Sequence, residues 1–390
     1  MKKLHSPVSN CMKKFFFLLF ISGYLSANGQ THYLLAGTYD SPKSEGIYVY
    51  KFNSADGSAK EVSHIKTPNS SFLTVSPDQK YVYAVNETAD STGKGGGVTS
   101  FSFDRKKGTL TQLSRQSSEG NHPCYISIDK TGKWVIAGNY SSGNFSILPA
   151  KNGILGKAKK TVQHSGSGPD TARQKSPHVH GIFMKKDNTG FFVTDLGTDK
   201  VMKYRFDAKT GNISPEKIPF VALSPGSGPR HMDFHPKLPV MYVLNELNGS
   251  IDVLKPASSG GPGGANDIDI VQSIPSFPLY YRGPAGSADI HVSPDGRFLY
   301  CSNRDELHNI GIFSIDSATG HLTTLADQPS LGERPRNFNF DPTGKFLLVG
   351  NQASDEIVIF KRDIKTGLLA DTGNRISVGK PVCIKWVTGK

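Results

Sequence analysis

The chain has 390 residues, of which 36% are hydrophobic and 20% charged, with 41 Gly and 24 Pro. That apolar share excludes a disordered chain, and the Gly and Pro content belongs to a turn-rich all-β protein. The formal net charge of +12 contains neither a long run of like charge nor a basic stripe interleaved with aromatics, so nucleic-acid binding is not expected.

In chain order, Met1 to Gln30 comes first. Lys2, Lys3, Lys13 and Lys14 precede an apolar stretch from Phe15 to Leu25, and the small residues Ser26-Ala27-Asn28-Gly29 follow it. This is the layout of a secretory signal peptide, with an apolar run too short to span a bilayer comfortably. Residues 1–30 are therefore read as a leader and 31–390 as one domain, periplasmic or secreted, with no membrane association after leader removal. Cys11 lies ahead of the apolar stretch, which argues against a lipid anchor. The remaining domain carries 41 basic against 33 acidic residues, a moderate balance that favours an anionic small molecule.

The domain opens with Tyr33-Leu34-Leu35-Ala36-Gly37-Thr38, a strand with no partner strand before it. One phrase then recurs six times at intervals of 48 to 58 residues: SPDQKYVYAVNE (Ser76 to Glu87), DKTGKWVIAGNY (Asp129 to Tyr140), KKDNTGFFVTDL (Lys185 to Leu196), HPKLPVMYVLNE (His235 to Glu246), SPDGRFLYCSNR (Ser293 to Arg304) and DPTGKFLLVGNQ (Asp341 to Gln352). Each copy is a turn, a β-branched or aromatic run and a polar dipeptide, which marks the hairpin between the first and second strands of a propeller blade. The pairs Asn53/Gly57, Asp104/Gly108, Asp207/Gly211, Asp316/Gly320 and Asp363/Gly367 mark turns between third and fourth strands. Pro256 to Asn266 is an elaborated version of that turn. The chain closes on Lys380-Pro381-Val382-Cys383-Ile384-Lys385-Trp386, which matches a first strand with nothing after it. The expected fold is all-β: a seven-bladed β-propeller of four-stranded antiparallel blades, its ring closed by the C-terminal strand pairing into the N-terminal blade. A closed ring needs no partner for stability, so a monomer is expected.

Taking Asn86, Asn139, Asp195, Asn245, Asn303 and Asn351 as equivalent markers, two columns converge on one mouth of the central channel. Fifteen residues before the markers stand Ser71, Cys124, His180, Arg230, Ala288 and Arg336; one residue after stand Glu87, Tyr140, Leu196, Glu246, Arg304 and Gln352. These columns and their neighbours gather His122, His178, His180, Arg230, His231, His291, Arg304, Arg334, Arg336, Glu87 and Glu246. Cations and imidazoles around a few carboxylates at a concave site suit an anion-binding hydrolytic centre. The three cysteines beyond the leader, Cys124, Cys301 and Cys383, have no CxxC spacing and read as small buried hydrophobes. No GxSxG elbow or phosphate-binding glycine loop occurs. Cations outnumber the oxygen donors in the columns, so neither a metal nor another cofactor is expected.

The strings PHVHGIF with DLGTDKV, GPRHMDFHP with VLNEL, SADIHVSPDGRFLYCSNR and RPRNFNFDPTGKFLLVGNQ resemble the lactonase family of seven-bladed propellers, which includes bacterial 6-phosphogluconolactonases and fungal carboxymuconate lactonizing enzymes. The resemblance covers the whole domain and implies metal-independent hydrolysis of a sugar-acid lactone, 6-phosphogluconolactone or a related aldonolactone. It also implies His180, Arg230, Glu246 and Arg304 as the catalytic set. The chemistry needs a base, an oxyanion partner and a proton for the leaving alkoxide. Glu246 as base with His180 as acid is the first assignment; His180 as base with Glu246 orienting it is the second. Arg230 and Arg304 would hold the oxyanion and the acid group of the substrate. His178, His231, His291, Arg336, Glu87 and Asn303 are candidate substrate-binding residues. Two other readings remain open: an exported non-catalytic propeller that binds a ligand or protein, with Phe277-Pro278-Leu279-Tyr280-Tyr281 as an aromatic rim or lid, or a lactonizing cycloisomerase.

Overall fold

The computed structural model describes residues 1–3, 31–257 and 267–389. The segment read as a leader therefore lies, but for its first three residues, outside the described residues, as does most of the elaborated turn at 258–266.

Among the described residues every regular element is a strand, and the strands form seven antiparallel sheets. In each blade the first strand starts near the axis and the chain meanders outward. Blade 4 is representative, with strands Val179–Met184, Gly190–Asp195, Lys200–Asp207 and Asn212–Ala222 paired in that order. Closure is as the ends of the sequence require. The C-terminal strand Pro381–Val387 is the inner strand of blade 1 and pairs with Thr31–Thr38, in a register that sets Tyr33 opposite Val387 and Gly37 opposite Cys383.

The recurrent turns behave as their residues dictate. Gly132, Gly296 and Gly344 take positive φ (+71°, +78° and +69°) in the inner hairpins, and Gln79 and Asn188 do the same where the phrase lacks glycine at that point. In the outer turns the amide of Gly211 donates to the Asp207 carbonyl at 2.7 Å. A Cβ on Gly211 would stand 2.4 Å from the Trp134 ring, whose indole N–H donates to Ala208 O at 3.0 Å. Glycine at that turn thus lets blade 4 lie flat against blade 3.

Blade 3 departs from four strands. Its outer position is filled by two pieces, Ile154–Leu155 and Lys160–Gln163, both paired with Asn144–Lys151. The Asn152-Gly153 turn (φ +50° and +80°) returns the chain early, and between the two pieces the amides of Gly156 and Lys159 still donate to Pro149 O and Ile147 O, each at 2.8 Å.

Apolar residues of facing sheets fill the spaces between blades. Leu34, Phe52, Phe346, Ile359 and Ile384 make one such layer where blade 7 meets the closing blade. Ile384 is wholly buried in it. Ile384→Ala is expected to lower unfolding stability by about 3 kcal/mol, read from the urea midpoint, because it removes buried methyls from the layer that shuts the ring.

Candidate active site

The side chains at the axial mouth are aimed there by a bulge repeated around the ring. In blade 4 the register steps from Val179 opposite Asp195 to Gly181 opposite Thr194, which leaves His180 unpaired. The same step isolates Cys124 in blade 3, Arg230 in blade 5 and Arg336 in blade 7, and a longer step in blade 6 isolates Ala288 and Asp289. An unpaired residue in a strand turns away from the alternation of its neighbours. In blades 3 to 7 the column fifteen residues before the markers is therefore a column of bulge residues. The second column, one residue past the markers, leaves its ladder at the same rim, and the closing blade supplies Tyr39 to it.

Together these form a cavity of about 530 Å³ whose wall includes Tyr39, Glu87, Cys124, Tyr140, His180, Glu246, Arg304 and Arg336. Glu246 is its electrostatic centre. Oε2 lies 2.9 Å from Arg230 Nε, 3.1 Å from Arg304 Nη2 and 3.7 Å from His180 Nε2. Oε1 accepts from Arg173 Nη2 at 2.8 Å. Arg304 Nε in turn donates to Gly286 O at 2.8 Å, and Arg173 Nη2 lies 3.1 Å from the Tyr140 hydroxyl. On the opposite side Tyr39 donates to Glu87 Oε2 at 2.8 Å, with the Arg336 guanidinium stacked over its ring at 5.4 Å.

Burial alone would raise the pKa of Glu246, but the Arg304, Arg230 and Arg173 guanidiniums outweigh it and hold the carboxyl well below its usual range. Burial, reinforced by Arg230, drives His180 well below 6.5, so its imidazole is neutral. Burial with Arg304 and Arg336 nearby lowers Arg230 to about 10.

Of the residues expected from sequence, His180, Glu246, Arg304, Arg336 and Glu87 line the cavity. Arg230 does not: it is 2% exposed and sits behind Glu246, donating to the carbonyl of Ala288. His231 is packed against Phe72, Tyr125 and Phe183, with its Nδ1 2.8 Å from Asp289 Oδ1. His291 lies on the far side of the same carboxylate, Nε2 3.2 Å from Asp289 Oδ2. His178 stacks on Tyr140 at 4.4 Å with Nδ1 2.9 Å from Tyr140 O, supporting the wall without forming it. Asn303 does not line the cavity. It is fully buried, its amide donating to Ser276 O at 3.1 Å and Asn309 Oδ1 at 2.9 Å, because here the marker latches the blade to the segment that enters it. Asn86 and Asn351 do the same toward Pro68 O and Ser330 O. Cys124, read as a buried hydrophobe, is buried but stands on the cavity wall.

Arg173 and Tyr39 were not anticipated. Arg173 comes from the segment between blades 3 and 4, anchored by wholly buried Gln174, which donates to Leu196 O at 2.8 Å and Asp199 Oδ1 at 2.7 Å. Tyr39 was legible: it follows Thr38, the counterpart in blade 1 of the marker residues.

A propeller with a polar, imidazole-bearing and guanidinium-rich cavity on its axis has the form of a small-molecule site. The chain belongs to the Lactonase, 7-bladed beta-propeller family, whose model matches residues 33–386. It is 36% identical over 336 residues to the 6-phosphogluconolactonase of Formosa agariphila, covering 85% of this chain and 92% of that one. It is 33% identical to the 6-phosphogluconolactonase of Bacillus subtilis over 90% of this chain and 97% of that one. Among solved structures, the periplasmic gluconolactonase of Pseudomonas aeruginosa superposes with a TM-score of 0.85 at 34% identity, covering 92% of this chain and 100% of that one.

Beneath the cavity, burial opposes charge on His291, but Asp289 and Asp233 push its pKa up from 6.5 to about 9. A folded pKa above the unfolded one means stabilisation that is complete below pH 6.5 and lost as pH rises through 9. Thermal melts of wild type and His291→Gln should therefore differ most below pH 6.5 and converge toward pH 9 and above.

Proposed function

We propose that the protein hydrolyses a sugar-acid lactone, 6-phosphogluconolactone or a related aldonolactone, to the open acid, without a metal ion and as an exported, periplasmic enzyme. The observation that carries this reading is the neutral imidazole of His180 on the cavity wall beside a carboxylate already committed to guanidinium donors. The family and the names of its relatives support the reaction class, and the periplasmic relative supports export.

Of the two acid–base assignments left open by the sequence, the ion-pair network favours His180 as base. A carboxylate that accepts from Arg173, is ion-paired to Arg230 and Arg304 and is held far below its usual pKa has little tendency to take a proton. Glu246 instead neutralises and orients the cations. His180 takes the proton of the attacking nucleophile and returns it to the ring oxygen as the carbonyl–oxygen bond breaks. Arg304 and Arg336, both on the wall, present donors to the oxyanion and to an acid group on the substrate. Arg230 acts through Glu246 rather than on the substrate.

Metal independence is supported by the donor set. Glu246 is occupied by guanidiniums, Glu87 by the Tyr39 hydroxyl, and the surrounding cations oppose a divalent ion. Among the described residues no group of three or more His, Cys, Asp or Glu is arranged to hold a metal.

The test is hydrolysis of 6-phosphogluconolactone and gluconolactone side by side with EDTA present, each corrected for spontaneous opening. Activity on at least one, undiminished by EDTA, is expected; no activity on either sinks the reading. His180→Ala should reduce kcat by roughly 10²–10⁴-fold. Because burial and Arg230 keep the imidazole neutral well below pH 6.5, the wild-type rate should not fall between pH 7 and 6 as it would for an unperturbed histidine base. A kcat profile breaking near 6.5 would contradict that environment.

A further inference from the structure

We propose that Cys124 is the nucleophile of this site and that hydrolysis passes through a thioester. The proposal rests on the lactonase reading and supplies the attacking group, which that reading leaves unnamed.

The bulge of blade 3 places Cys124 on the cavity wall beside His180, with Sγ 3.8 Å from His180 Nδ1. The other ring nitrogen, Nε2, lies 3.7 Å from Glu246 Oε2. Thiol, imidazole and carboxylate thus stand in sequence across blades 3, 4 and 5, the order in which a nucleophile, its base and the group that orients the base are placed. The thiol has three acceptors nearby: Val179 O at 3.6 Å, His180 O at 3.8 Å and the imidazole. Of these the imidazole alone can take the proton away.

The other two described cysteines are spent on packing. Cys301 Sγ points at Ser276 O at 3.6 Å, and Cys383 Sγ lies 3.2 Å from the Leu73 amide, neither on the cavity wall. A second feature of the same cavity awaits a ligand. The Arg336 guanidinium lines it, stacked over Tyr39, and feels the charge of Glu87 and Glu246 without an ion-pair contact to either. A carbonyl oxygen or an acid group of the substrate would complete it.

Burial raises the thiol pKa and lowers that of the imidazole, so the resting pair is neutral and the proton moves during attack. Sγ bonds to the lactone carbonyl carbon as its proton passes to His180 Nδ1, and the carbonyl electron pair moves onto oxygen beside Arg304 and Arg336. Collapse breaks the bond to the ring oxygen, which leaves as a hydroxyl with the proton from His180. A water then gives a proton to His180 and its oxygen to the acyl carbon, and the carbon–sulfur bond breaks. The sulfur recovers the proton, and one water has been consumed per lactone opened. Until water arrives, the released hydroxyl remains tethered and can reclose the ring, so acylation is reversible.

The experiment uses the mature protein with saturating gluconolactone, quenched in acid, where thioesters persist, and analysed by intact mass and peptide mapping. The expected result is an adduct of one lactone on the peptide containing Cys124. Cys124→Ala, with unchanged melting temperature, should lose the adduct and at least ~100-fold in kcat. An adduct-free wild type, or Cys124→Ala turning over within about threefold of wild type, overturns the nucleophile and leaves the lactonase reading standing. If Cys124→Ala fails to fold, the wild-type adduct decides. A wild type that opens neither lactone fails the lactonase reading itself, and this inference with it.

Discussion

Seven wedge-shaped sheets leave the ring one inner strand short until Pro381–Val387 pairs with Thr31–Thr38. That pairing removes two open sheet edges at once. It also places Tyr39, which follows Thr38, against Arg336 of blade 7 and Glu87 of blade 2, so that three blades meet at one side of the cavity. The opposite side is assembled the same way, from His180, Glu246 and Arg304 of blades 4, 5 and 6. No blade holds a site alone. Each contributes one or two rim residues, and the ring decides which of them touch.

The cavity then solves a problem of charge. Arg230 and Arg304 are both nearly buried, where a guanidinium without a counter-charge is costly. One carboxylate, Glu246, serves both and also receives Arg173 from the segment above. The arrangement leaves a carboxylate too stabilised to take protons and an imidazole too buried to carry one. Depressed basicity on the first and neutrality on the second divide the roles between them without any further device. Farther down the channel the balance is reversed: Asp289 and Asp233 hold His291 cationic, while burial and Arg230 keep His231 neutral.

Much of this was legible because hairpins announce themselves. The six-fold phrase fixed the blades, and the half-phrases at the ends fixed how the ring shuts. Counting from the markers also found the two columns, since equal spacing in equal hairpins places residues at equal heights. What counting could not show is why the first column faces the axis. A strand residue at that position should alternate with its neighbours, and it is the bulge, a property of register, that frees it. That Asn303 stays off the cavity wall was hidden for a related reason. A polar residue at a strand end looks alike in sequence whether it meets a ligand or, as here, a backbone carbonyl of the entering segment. Arg173 escaped because it lies in an irregular segment outside the repeat. Blade 3 escaped because its outer turn lacks the Asp-to-Gly or Asn-to-Gly spacing found in blades 1, 2, 4, 6 and 7.

The closing ladder has a consequence for synthesis. Tyr33, among the first residues of the domain to be made, cannot find Val387 until nearly the whole chain exists. Contacts so distant in sequence form late, because the loop-closure entropy must be overcome before they yield anything. A growing chain can form hairpins and even whole middle blades as it lengthens, but the seam stays open. Tyr39 has no Arg336 beneath it until blade 7 has been made. The ring is thus a device that withholds its cavity until Pro381–Val387 has been made, and a copy without that strand is a row of blades without a centre.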